Sequence, residues 1–263
     1  MTSERHDHDA GGDPEVLERK AELRDRIWSA LEDSDASRFP GARGRIPNFV
    51  GTEDAAERLR GRAEWEGAAR LKANPDSPQW PVRQRALEDG KTVYMAVPKL
   101  AGEQPFFLLE PSRLQESPRR ASSIKGASRS GITADVADLE PVDLVVTGCV
   151  AASPDGRRLG KGGGFSDLEY AVALEAGLVG PETPVATTVH ELQVLEEGAI
   201  PVTGHDVRLD LVVTPDRVIE VPTGAGSTDR PAGVRWDELT EEKIRSIPLL
   251  QRLREERGDA PGA

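Results

Sequence analysis

Residues 143–171 read DLVVTGCVAASPDGRRLGKGGGFSDLEYA. An apolar run at 143–151 opens the stretch, and a continuous run of this kind marks a strand buried on both faces. Five glycines, two adjacent arginines and a lysine then fall within residues 155–167. From about Ser166 to Ala176 the pattern becomes helical. Strand, basic glycine loop and helix in this order form either an anion site or a plain solvated connection in an α/β protein. Glycines let backbone N–H groups approach phosphate oxygens, and the helix N-terminus adds partial positive charge.

The same alternation extends outward in both directions. Val16, Leu17, Leu23, Ile27, Ala30 and Leu31 recur near 3.6 residues, which predicts a helix from Pro14 to about Ser34. A Pro/Gly-rich loop, RFPGARGRIPNFVG, precedes a second helix at about 52–62, with Thr52 as its N-cap. A short helix at 82–89 ends at Gly90, and TVYMAVP at 92–98 reads as a buried strand. Residues 110–135 read as irregular and basic. VATTVH at 185–190 and DLVVTP at 210–215 add strands, and VIEV at 218–221 closes an edge. The expected fold is α/β: a single doubly wound, mostly parallel, Rossmann-like sheet with helices on both faces. Its ligands should sit at the strand C-termini, where the glycine loop begins. Residues 1–14 are expected to be a disordered tail, 15–221 the α/β domain, and 222–263 a polar C-terminal extension with one weak helix near 237–254.

Among 263 residues there are 46 acids and 34 Lys+Arg, giving a net charge of −12. Seven lysines stand against 27 arginines. Acid excess, scarce lysine and 4% aromatics point to a halophilic proteome. Stability is then expected to rise in molar KCl, as screening relieves self-repulsion. An unfolding midpoint that stays flat or falls with added KCl would remove that reading. An acidic chain also argues against DNA binding, and the basic loop 119–131 lacks the interleaved aromatics of an RNA surface. No apolar run approaches the roughly 20 residues of a membrane span. No secretory signal is expected, and the lone Cys149, read as a small buried residue, suits a reducing cytoplasm.

Two nucleotide motifs fail. Walker A needs GxxxxGK before Ser or Thr, but here the lysine precedes the glycine cluster; the dinucleotide fingerprint lacks its acid about 20 residues on. On spacing alone, a phosphate cradle and a solvated connection both remain open.

RRLGKGGGFSD at 157–167 resembles the signature of the 5-formyltetrahydrofolate cyclo-ligase family. Lys20-Ala-Glu-Leu-Arg24 and the His205-Asp206 turn before LDLVVTP are similar to further family features in the right order. IPNF, NPDSP and GKGGGFSDLEYA look like the methenyltetrahydrofolate synthase domain-containing branch. The resemblance implies closure of 5-formyltetrahydrofolate to 5,10-methenyltetrahydrofolate with ATP and Mg²⁺. Phosphate charge is met by Lys20, Arg24, Arg158 and Lys161, with the latter two as catalytic groups. Gly160, Gly162, Gly163, Gly164 and Phe165 complete the nucleotide cradle, and Asp167 and Asp206 are the implied metal ligands. The partner is a reduced folate. Asp76 falls near the place of the family's folate-site glutamate, one methylene shorter. The sequence also departs from the pattern: Phe165-Ser166-Asp167 replaces aromatic-Tyr-Asp, which spares the ATP half better than the folate half. His205 and His190 read as structural. The alternatives are a paralogue acting on another small metabolite, and a non-catalytic nucleotide- or RNA-associated module.

Overall fold

The computed structural model describes residues 13–222 and 230–258. Residues 1–12 of the expected tail lie outside the described residues. Helix α1 (Pro14–Asp33) starts as its sequence predicts. The Asp13 carboxylate accepts the Glu15 N–H at 2.9 Å, and Pro14 occupies the first turn, where its missing N–H is harmless. The stripe Leu23, Ile27, Trp28 and Leu31 is buried.

Helix α2 (Thr52–Arg60) corrects the expected cap. Gly51, not Thr52, is the N-cap, at φ +92°, and a Cβ there would lie 2.6 Å from Pro215 Cγ. After the turn α3 (Ala63–Glu66), the strands and helices alternate: β1 (Arg70–Ala73), α4 (Trp80–Glu88), β2 (Thr92–Ala96) and β3 (Phe106–Leu109). Residues 110–135, expected to be irregular, fold as α5 (Pro118–Ala121), α6 (Ile124–Ser130) and β4 (Ile132–Ala134). Ser123 caps α6 by accepting the Gly126 N–H, and a Cβ on Gly126 would meet the Arg120 carbonyl oxygen at 1.7 Å. Only glycine lets these two short helices approach so closely.

The 143–151 run pairs into the sheet only over β5 (Leu144–Val146). It then leaves the sheet for a hairpin, β6 (Ala151–Ala152) with β7 (Arg158–Leu159), before helix α7 (Phe165–Glu175). The glycine loop therefore follows the hairpin rather than the buried strand. The main sheet is completed by β8 (Val185–Thr188), β9 (Leu211–Val213) and β10 (Val218–Glu220), in the order β10-β9-β8-β5-β1-β2-β3-β4. The inner pairs β9/β8, β8/β5, β5/β1 and β1/β2 are parallel. β3 and β4 at one edge and β10 at the other are antiparallel.

Side chains alternate between two cores, as a doubly covered sheet requires. Leu71, Val93, Leu144, Val146 and Ala186 pack toward Leu59 of α2 and Val82 of α4. Tyr94, Val145, Val185 and Val212 pack toward Leu168 and Val172 of α7. A third cluster sets Leu23, Ile27 and Leu31 of α1 against Val150, Ala151 and Leu159 of the hairpin. That packing brings α1 alongside the glycine loop.

The C-terminal segment forms two helices where one was expected, α8 (Glu241–Ser246) and α9 (Pro248–Glu256). Ile247 is extended and Pro248 restarts the helix, since proline cannot continue the hydrogen-bond ladder. Ile244, Ile247, Leu249 and Leu250 are buried in the same core as α7. Among the described residues, no helix is long and apolar enough to cross a membrane.

Candidate active site

The glycine loop 160–164 lies between the hairpin and α7, and its backbone needs glycine at two places. Gly162 has φ +100°, and Gly164, the N-cap of α7, has φ +61° with no side-chain cap. The first-turn N–H groups of α7 thus have no capping side chain of their own. Phe165 lies against Gly163, where an added Cβ would be 2.9 Å from its ring.

Helix α1 delivers Arg24 to this loop and Lys20 to the neighbouring Thr203–Asp206 turn. Arg24 Nε donates to the Gly160 carbonyl at 2.8 Å, and a Cβ on Gly162 would sit 3.4 Å from the Arg24 guanidinium. Lys20, one turn earlier on the same face, is buried; its Nζ donates to Asp206 Oδ2 at 2.7 Å and to Thr203 Oγ1 at 3.2 Å. It is not part of a solvated charged face. The same Asp206 oxygen accepts the Thr203 N–H at 2.7 Å, so three donors converge on it. Asp206 serves here as the anchor of Lys20.

Arg158 and Asp167 form a buried pair through Arg158 Nη2 and Asp167 Oδ1. Arg158 Nη1 also donates to the Gly148 carbonyl at 3.0 Å, and the Val207 N–H donates to Asp167 at 3.0 Å. Burial pushes the Asp167 carboxyl up, but the Arg158 guanidinium and the Val207 N–H outweigh it and hold the group below the ordinary carboxylate range. Asp167 therefore stays ionised at neutral pH. Arg158 Nε is buried without an acceptor among the described residues. An orphaned cationic donor beside an uncapped glycine loop fits an anionic phosphate. Lys161 is more exposed, and its Nζ reaches Asp76 Oδ1 at 3.4 Å across the cleft.

Among the described residues, no three His, Cys, Asp or Glu side chains gather into a cage for a metal. The donor set suits a different arrangement. Mg²⁺ ordinarily keeps its waters and takes one or two carboxylates plus substrate phosphates, and an ionised Asp167 at the loop meets that need.

Several site residues were not marked by the motifs. Lys72 Nζ donates to Glu169 Oε2 at 2.8 Å, with both side chains buried, and Asn74 Nδ2 donates to the same oxygen at 2.7 Å. Asn74 Oδ1 in turn accepts the Gly148 N–H at 3.1 Å. This chain of bonds ties α7 to the C-terminal ends of β1 and β5. Burial pushes the Glu169 carboxyl up, and Lys72 opposes that only in part. Arg83 is fully buried and holds the Asp76 loop by donating to the Asn74 and Asp76 carbonyls, the latter at 3.2 Å. Burial brings its pKa down to about 10. From the C-terminal segment, Lys243 Nζ donates to the Gly163 carbonyl at 2.9 Å and stands 5.3 Å from the Phe165 ring centre.

The remaining candidates have structural partners. His190 Nδ1 accepts the Leu192 N–H at 3.2 Å and caps a turn. His205 pairs with Glu238 at 2.5 Å. Cys149 is buried, and burial pushes its thiol up to about 11, too high to act as a nucleophile near neutrality.

Residues 16–215 match the model of the 5-formyltetrahydrofolate cyclo-ligase family. The chain is 36% identical over 238 residues to the methenyltetrahydrofolate synthase domain-containing protein of Mus musculus, covering 90% of this chain and 63% of that one. It is 34% identical over 250 residues to the protein of the same name from Bos taurus, covering 94% of this chain and 65% of that one. The chain thus spans less than two thirds of the length of these relatives. A solved structure of Aquifex aeolicus 5,10-methenyltetrahydrofolate synthetase superimposes with a TM-score of 0.48 at 18% identity, over 78% of this chain and 94% of that one.

Proposed function

The chain belongs to the 5-formyltetrahydrofolate cyclo-ligase family, and from that premise we propose that it closes 5-formyltetrahydrofolate to 5,10-methenyltetrahydrofolate with Mg²⁺ and ATP. The observation that carries the reading is the meeting of Arg24 from α1 with the glycine loop at Gly160, 136 positions away in the chain, with Lys20 one turn earlier on the same helix held by Asp206. Together with Arg158 and Lys161 they would neutralise a triphosphate at the start of α7.

ATP supplies the phosphoryl group that turns the formyl oxygen into a leaving group for attack by the folate N10. The protein's part is positioning and charge stabilisation. Arg24 orients the Gly160 carbonyl, so the loop N–H groups keep one arrangement. Arg158 and Lys20, each fixed by a carboxylate, present their remaining donors without rotamer search. Asp167 is the residue that would hold the Mg²⁺. Asp76, reached by Lys161 across the cleft, would meet the folate side.

The second reading, a related enzyme acting on another small metabolite, is favoured by one feature. Phe165-Ser166-Asp167 carries no tyrosine hydroxyl beside Asp167. Incubating the protein with Mg·ATP and 5-formyltetrahydrofolate, while following methenyl absorbance and phosphate release, separates the two. ATP binding without methenyl formation selects the second reading.

Lys161→Ala tests the cradle. Losing one charge-assisted contact of about 1.5–3 kcal/mol should weaken ATP binding roughly 10- to 150-fold. The lysine is 44% exposed and its pair with Asp76 is long, so stability should change by less than about 0.5 kcal/mol. Gly162→Val should also weaken binding, because valine disfavours φ +100° and crowds Arg24. Unchanged ATP affinity in Lys161→Ala, measured by calorimetry, would reduce the loop to a connection.

A further inference from the structure

We infer that Lys161 is contested between the two sides of the cleft. Asp76 holds it before a nucleotide binds, and the nucleotide's phosphates take it away, so the nucleotide and the second substrate strengthen each other's binding. The inference rests on the phosphate reading of the glycine loop and adds a coupling between that loop and the opposite wall.

The two residues come from different elements. Asp76 stands in the loop after β1, and Lys161 in the glycine loop after the β6–β7 hairpin, 85 positions later. Lys161 Nζ donates to Asp76 Oδ1 at 3.4 Å, and the lysine side chain is 44% exposed against 18% for the acid. At this length and exposure the pair is weak, and a stronger anion can displace the acid. Lys20 and Arg158 differ, because both are buried and tied to Asp206 and Asp167. A phosphate could not draw either of them away without stranding a buried carboxylate.

Asp76 cannot follow the lysine. Arg83 Nη1 donates to the Asp76 carbonyl at 3.2 Å and Nη2 to the Pro75 carbonyl at 3.3 Å. The Gln79 N–H also donates to the Asp76 carbonyl, at 3.2 Å. Arg83 Nε is spent on the Ser122 carbonyl at 2.9 Å, so this guanidinium fixes the backbone and makes no hydrogen bond to the Asp76 carboxylate. Asp76 Oδ2 accepts no hydrogen bond among the described residues, and it lies 3.4 Å from where a Cβ on Gly148 would stand. Lys161 has Gly160 before it and Gly162, at φ +100°, after it, and its long stem can turn to either side.

A triphosphate on the loop carries several negative charges against the single charge of Asp76, so it wins the ammonium group. Asp76 is then an anchored, largely shielded carboxylate with no cation bonded to it. N–H donors of the second substrate can take the lysine's place. Before the nucleotide binds, those donors must compete with Lys161. Once they are seated, the phosphates no longer compete with Asp76. Coupling between two sites is reciprocal, so each ligand tightens the other by the same factor.

The test is calorimetry with Mg·ATP on the unaltered protein, Asp76→Asn, Lys161→Ala and the double variant. Asp76→Asn should bind Mg·ATP about two- to fivefold more tightly, the worth of a partly exposed ion pair that binding no longer has to break. In the Lys161→Ala background the same substitution should change nothing, because the contested lysine is gone. In the unaltered protein 5-formyltetrahydrofolate should raise Mg·ATP affinity by a similar factor, and Lys161→Ala should abolish that gain. Asparagine keeps the acid's shape, and a melting midpoint checks that the variant is folded; Asp76→Ala takes its place if it is not. Tighter binding in both backgrounds would mean that Asp76 merely repels phosphate, and unchanged or weaker binding in Asp76→Asn would mean that it does not hold the lysine back. Either result overturns the coupling and leaves the phosphate loop standing, as does folate binding with no effect on Mg·ATP affinity. If 5-formyltetrahydrofolate does not bind, the four-protein comparison with Mg·ATP decides alone. Unchanged Mg·ATP affinity in Lys161→Ala overturns the loop reading and the coupling together.

Discussion

Asp167→Asn should lower folding stability by about 3–5 kcal/mol at pH 7, the usual result of stranding one member of a buried ion pair. Arg158 and Asp167 side chains are 2% and 9% exposed, so neither charge has water to fall back on. Asparagine keeps the shape and still offers an oxygen to the Val207 N–H, which confines the change to the missing charge. Arg158→Leu combined with Asp167→Leu should be more stable than the single variant, because no charge is then left alone. The pH sign follows from the depressed carboxyl. Its contribution is fully present above the unfolded value near 3.8 and is lost as pH falls through the lower folded value. The gap between unaltered protein and variant, read from urea unfolding, should therefore narrow below about pH 4. A loss under about 1 kcal/mol at pH 7 would mean that the pair is dispensable to the fold, and a double variant less stable than the single would assign the loss to something other than the stranded charge.

The elements legible in the sequence were those with strong local signals. Helix α1 has a sustained 3.6 period and a proline start, and the loop–α7 junction has glycines where φ is positive. β1, the strand next to the centre of the sheet, was not legible. RLKA holds one arginine and one lysine in four residues, and its lysine is apolar in effect only because Glu169 meets it 97 positions away. The extent of the 143–151 run was overread for a related reason. Continuous burial there has two sources, the sheet over Leu144–Val146 and the hairpin packed under α1 beyond Val150. Apolar content reports burial, not which layer does the burying.

The site followed the same division. Residues carried by a motif meet in pairs, Arg24 with Gly160, Arg158 with Asp167 and Lys20 with Asp206, because α1 packs against the hairpin that leads into the loop. What tertiary contact alone creates was not legible: Arg83 closing the Asp76 loop, Asn74 holding Gly148, and Lys243 returning from the C-terminal segment to the Gly163 carbonyl. The last had one sequence signal. Lys243 is the single lysine after residue 161 in a chain that otherwise uses arginine.

Lys72→Met should destabilise the protein by about 3–5 kcal/mol at pH 8, by the same cost of breaking a buried pair from one side. Methionine fills the lysine stem's place, so little packing is lost, and the effect comes from Glu169, left with only the Asn74 amide as donor. The pH dependence is opposite to that of Asp167. Burial already raises the Glu169 carboxyl above its ordinary value, and removing the cation raises it further. A raised carboxyl costs nothing below the unfolded value near 4.5, where it is neutral in both states. Above that value the penalty grows by up to about 1.4 kcal/mol per pH unit until the folded carboxyl ionises. Lys72→Met should therefore approach the unaltered protein in stability near pH 4.5 and fall away toward pH 8. Adding Glu169→Gln should remove the pH dependence, because the amide has nothing to ionise and can still accept from Asn74. Since Asn74 also fixes Gly148, whose carbonyl accepts from Arg158, the single variant should weaken ATP binding and the double variant should restore part of it. A deficit independent of pH, or one that the second substitution leaves in place, would assign the loss to packing around β1 instead of to the stranded carboxylate.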